Sequence, residues 1–260
     1  MTKFSMKTQS NNLNQDLDVN IIIDQNINQK NTETEAPNVL PQLIILYGPP
    51  GSGKGTQANL LKTNLGYEFL DFGQSFRDFV KLNINENNSE QKRAKRVNEA
   101  LIGGFPILTE DFFYILKDKI LLLINSKKKF IIDKPGSLIE EATWLEQLIK
   151  EYNIPSKFIH LTLPIKDALN RITHRWYIPN NPNPFPSYSD ALHHVSNGLK
   201  PFQRSDDESE SISTKRIENI YGKFNDILNI YKNGGMVIND LPANDSIENI
   251  YYKILNIIKK

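Results

Sequence analysis

Residues 43–61, LIILYGPPGSGKGTQANLL, set a continuous apolar strand, a glycine-rich turn and an amphipathic helix in immediate succession. That order constrains the chain more than any other stretch, because strand, turn and helix together make a phosphate site out of backbone. Gly48, Gly51, Gly53 and Gly55 allow the main chain to curl so that successive N–H groups face inward at an anion. The helix opening near Lys54 adds the positive end of its dipole. Lys54 supplies a point charge for the outer phosphates of a nucleotide, and a hydroxyl beside it assists a Mg²⁺ ion. The hydroxyl stands one place later than in the generic pattern, because Gly55 follows the lysine and Thr56 comes after it.

From Leu40 onward strands alternate with helices, which predicts an α/β fold with a parallel sheet covered on both faces. The strands are expected in QLIILYG, YEFLDF, KFIID, KFIHLTL and MVIN: a P-loop core of three layers around a five-stranded parallel sheet. Helices fill the intervals, one with Thr109 placed to cap it, one opened by Pro164, and a long one from about Asp206 to Lys232. Residues 177–203 break the alternation with prolines and asparagines, as a functional lid or a disordered loop does. Residues 1–38 are rich in Asn and Gln and poor in aromatics, which predicts a disordered tail before a domain spanning 39–260. The 31 basic and 30 acidic residues give a net charge of +1, too small a field to attract nucleic acid or a membrane surface. With no cysteine, no signal peptide and no long apolar run, a cytoplasmic chain is expected.

GPPGSGKGTQA resembles the adenylate kinase signature, and the chain from about Gln42 to its C-terminus can be laid along that family. The resemblance implies phosphoryl transfer from ATP on a P-loop core, with a helical insert holding the monophosphate (about 73–102) and a lid (about 177–203) closing over ATP. It assigns ATP to Gly51, Ser52, Gly53, Lys54, Gly55, Thr56 and Arg171. Arg175 is implied to contact the ATP phosphates, and Arg204 and Arg216 to bridge the two nucleotides, with Lys54 completing the catalytic set. Arg171 and Arg175 are four residues apart and are expected on one helical face. Asp206 and Asp207 would hold arginines in place. Gly73 and Arg77 match the glycine and the phosphate-gripping arginine of the monophosphate site, although Phe72 and Gln74 stand where the family has threonine and aspartate. Asp133, ending the strand KFIID, matches the acid that orders Mg²⁺ through water.

The turn after Asp133 departs further: Gly136 takes the place of an arginine, Lys134 offers a nearby charge, and Glu140 stands for the glutamine that reads the base. The resemblance implies a monomeric nucleoside monophosphate kinase using Mg-ATP, AMP being the first acceptor, with small-molecule nucleotides as its partners. The alternatives are a nucleotide-binding regulatory protein with weakened transfer, or a kinase for a different monophosphate. No zinc is expected in the lid, since it holds no cysteine and its adjacent His193 and His194 point apart.

Overall fold

All five residues of β1 (Leu43–Tyr47) are buried, so the strand needs apolar cover on both faces. The computed structural model supplies it. The structure describes residues 40–179, 181, 183–195, 199–204 and 210–260; the expected tail and the pair Asp206 and Asp207 lie outside the described residues. β2 (Glu68–Leu70), β3 (Phe130–Ile132), β4 (Ser156–Thr162) and β5 (Ile238–Pro242) complete a five-stranded sheet in the order β2-β3-β1-β4-β5. Every pairing is parallel.

Alternate residues of the strands face opposite layers. Leu43, Ile45, Phe130, Ile132 and Phe158 join one core, while Ile44, Leu46, Ile131, Ile159 and Leu161 join the other. The first layer is closed by α2 (Phe72–Asn83), α4 (Thr109–Asn125), α5 (Ile139–Glu151) and α8 (Glu210–Asn233), with α3 (Gln91–Gly103) against α2. The second is closed by α1 (Lys54–Leu65), α6 (Ile165–His174) and α9 (Ile247–Ile258). Burying the β1 side chains contributes on the order of 10 kcal/mol, comparable with the whole net stability of a domain. The strand is therefore the rigid base from which the loop after Tyr47 projects.

Helix ends follow local chemistry. Gly66 ends α1 at φ 69, its N–H bonding the Lys62 carbonyl. α2 is capped by Asp71, whose carboxylate accepts the Gln74 N–H at 2.7 Å, and it buries Phe72, Phe76 and Val80 along one face. Thr109 is not the cap expected for α4: Leu108 occupies that position and its carbonyl receives the N–H groups of Asp111 and Phe112, both at 2.9 Å. The proline-rich insert has regular structure among its described residues. Isolated antiparallel bridges Trp176–Phe185 and Tyr177–Phe202 tie its base, and it carries a short helix α7 (Tyr188–His193). The long helix α8 is described from Glu210. Among the described residues no helix is long and apolar enough to cross a membrane.

Candidate active site

The loop from Gly48 to Gly55 leaves β1 and runs into α1, whose N-cap, Gly53, offers no side-chain hydrogen bond. The first N–H groups of the helix are thus left to an anion. At Gly48, with φ 151, an added Cβ would collide with the Leu161 carbonyl, so the loop must pass the end of β4 without a side chain. Lys54 folds back over this loop, donating to the carbonyls of Gly48 (2.8 Å) and Pro49 (2.9 Å). Burial pushes its pKa down to about 7; Asp133 opposes that fall, and Lys134 and Arg175 add to it.

Leu70 pairs with Ile132 in adjacent parallel strands, so the acids that follow them, Asp71 and Asp133, emerge side by side at the sheet end. Asp133 accepts the Phe72 N–H at 3.1 Å. Burial, reinforced by the neighbouring Asp71 charge, raises its carboxyl to about 6, while Lys134 and Lys54 pull it the other way. Asp133 lines the cleft with the phosphate loop and Thr56, and a carboxylate and a hydroxyl are hard oxygen donors of the kind that suit Mg²⁺.

These groups line a cleft of about 600 Å³. Arg171 and Arg175 reach it, but not from one helical face as expected. α6 ends at His174, and Arg175 turns extended so that the next residue can bridge to Phe185. Arg171 donates to the Gly51 carbonyl at 3.3 Å, which ties α6 to the phosphate loop. The guanidinium of Arg204 lies 4.1 Å from the centre of the Tyr177 ring and that of Arg175 5.7 Å from it, so one buried tyrosine orients a cation from each end of the insert. Arg216 enters from α8 against Gly104, whereas Lys215 lies over the Phe105 ring at 3.8 Å.

Arg77 and Gly73 of α2 also line the cleft. Arg77 takes the Gln74 carbonyl oxygen with Nε and Nη2, both at 3.2 Å, so the glutamine in the aspartate position steers the arginine. Gly104 to Ile107 follow, and the Gly104 carbonyl accepts the Asn219 amide at 3.1 Å.

Two expectations change. Glu140 is exposed and lines a separate recess with Thr109, Leu138 and Lys223, so it has no place in the cleft. Its neighbour Glu141 is the buried one, and it is spent on the turn, accepting the N–H groups of Ser137 (2.6 Å) and Leu138 (3.2 Å). Gly136, in turn, is no simple loss of a side chain: its φ is 108 and an added Cβ would lie 2.6 Å from the Ala142 nitrogen. An arginine cannot be restored there without rebuilding the turn. Reasoning from sequence also missed Tyr177 and Asp71. The signal for Asp71 was available, since it ends its strand as Asp133 does.

A glycine loop, a half-buried lysine folded over it and converging arginines at the strand ends of a parallel sheet define a P-loop phosphotransferase. Comparison with known proteins agrees. A family described as AAA domain matches residues 47–176, half the chain. Adenylate kinase of Methanosarcina barkeri is 28% identical over 227 residues, covering 84% of this chain and 98% of that protein. Adenylate kinase of Ureaplasma parvum is 28% identical over 222 residues (84% and 98%), and that of Rickettsia africae 27% over 222 residues (83% and 99%). The chain belongs to the AAA-domain P-loop proteins and, within them, to the adenylate kinase family.

Proposed function

We propose that the chain is a nucleoside monophosphate kinase that transfers the terminal phosphoryl group of ATP to AMP, giving two ADP. The observation that carries this reading is convergence: Lys54, Arg175, Arg204 and Arg216, from four separate segments, line one cleft together with Asp133. Phosphoryl transfer asks little covalent work of a protein and much positive charge around the migrating group. Gly51 to Thr56 and Arg171 serve the ATP side, while Gly73 and Arg77 serve the acceptor. The cations from the insert and from α8 stand where the two nucleotides would meet.

Mg²⁺ would be held through water by Asp133, with Asp71 and Thr56 nearby, and would supply neutralising charge on the ATP phosphates. Lys54, once a phosphate replaces the loop carbonyls, carries its full charge to the transferred group. The segments 73–102 and 177–203 serve in this reading as monophosphate insert and lid. The protein acts as a cytoplasmic monomer on small nucleotides.

A second reading is a nucleotide-binding protein with weakened transfer, favoured by the altered turn at Gly136 and by Phe72 and Gln74. A coupled assay with Mg-ATP and each of AMP, GMP, UMP and CMP decides. Turnover with AMP above the others supports the first reading. Turnover with another monophosphate moves the acceptor, and ATP binding without transfer to any of them supports the second.

A further inference from the structure

The turn Asp133–Ser137 is clamped from both ends. The Pro135 carbonyl accepts the hydroxyl of the buried Tyr231 at 2.7 Å, and Glu141 holds the N–H groups of Ser137 and Leu138. Gly136 packs its backbone against the start of α5 and admits no side chain. Within this fixed turn Lys134 is the one residue with a cationic side chain, and it lines the cleft beside Asp133. Its charge is felt by Lys54, Asp133 and Glu141, yet among the described residues no oxygen takes a hydrogen bond or ion pair from its ammonium group. Arg77 lines the same cleft, on the helix whose first residue, Phe72, donates its N–H to Asp133.

We propose that Lys134 binds the phosphate of the acceptor nucleotide, completing with Arg77 the clamp that a side chain at position 136 cannot provide. The inference rests on the monophosphate kinase reading. A lysine brings a compact charge on a flexible stem and lacks the two-pronged geometry of a guanidinium. It restores the attraction for the phosphate while fixing the acceptor less tightly than an arginine would. If Lys134 served only to offset the carboxyls of Asp133 and Glu141, its loss would disturb folding and both nucleotides alike.

The test is calorimetric titration of the full chain with AMP, the ATP site being saturated with a non-hydrolysable ATP analogue, and separately with that analogue alone. Lys134→Met is expected to weaken AMP about tenfold to a hundredfold, the loss of one charge-assisted contact. The analogue's affinity and the melting temperature should stay unchanged, and Lys134→Arg should recover most of the AMP affinity. Should the methionine variant not fold, Lys134→Gln gives the same reading. Unchanged AMP affinity, or equal weakening of AMP and the analogue, overturns the proposal. If the unaltered chain binds AMP through Lys134 but transfers no phosphoryl group, the kinase reading fails and the site stands; if it binds no monophosphate, both fail.

Discussion

The two walls of the cleft are built on different principles. On the side proposed for the donor the groups on offer are backbone N–H vectors, fixed by the course of the loop between β1 and α1, and side chains only add charge to them. On the side proposed for the acceptor the groups are side chains, Arg77 held by Gln74 and Lys134 beside Asp133, carried by a helix and a turn that depart from the family pattern. A backbone site tolerates little change. A side-chain site can be rebuilt from other residues, and the proposal for Lys134 is that here it has been.

Lys54→Ala breaks the donor wall and should have the largest effect. Transfer is expected to fall on the order of 10²–10³-fold, because the lysine acts on the developing phosphoryl charge. The melting temperature should not fall, since desolvating the lysine costs stability rather than adding it; a steady-state assay and a thermal melt read both. A drop in stability matching the loss of rate would mean that Lys54 is structural.

Arg77→Ala breaks the opposite wall more gently. The KM for the acceptor should rise about tenfold to a hundredfold with the KM for ATP unmoved. Equal changes in both would erase the division between the walls. Gly136→Ala then separates conformation from charge: it removes no polar group, yet a positive φ and contact with the Ala142 nitrogen predict a loss of about 1–3 kcal/mol in chemical denaturation. A neutral outcome would mean that the turn relaxes freely.

The smallest expected signal concerns the proton on Lys54. Its pKa in the nucleotide-free protein is pushed down to about 7 by burial, against 10.5 for an ordinary lysine. Between those values the unfolded chain binds more protons, so stability of the nucleotide-free protein rises with pH across that window. Polyphosphate favours the charged form, so ATP binding at pH near 7.5 should take up a fraction of a proton. Calorimetry in buffers of different ionisation heat measures it, and the uptake should vanish in Lys54→Met.

Much of this was legible in the sequence. The parallel sheet followed from five apolar runs with helices between them, and the glycine loop between β1 and α1 from glycines, lysine and hydroxyl at fixed offsets. Those features are local, and local chemistry decides them. What escaped notice depends on which side of an element is buried. Glu140 and Glu141 are adjacent, and only the packing of α5 shows that the second turns inward to hold the Ser137 and Leu138 N–H groups while the first faces solvent. Gly136 looked like a missing arginine because spacing cannot report φ. Arg175 was placed on a helix that ends one residue before it, since the bridge between Trp176 and Phe185 pairs residues across a segment without strand periodicity. Tyr177 carried no motif at all; its role comes from sitting between Arg175 and Arg204 once the insert folds back.

The most direct test of the central claim is phosphorus NMR of a mixture of ATP, AMP and Mg²⁺ with the full chain. Conversion of both nucleotides to ADP, with no inorganic phosphate released, is the predicted result. ATP and AMP signals that persist unchanged, or ATP lost to ADP and inorganic phosphate while AMP is untouched, would contradict it.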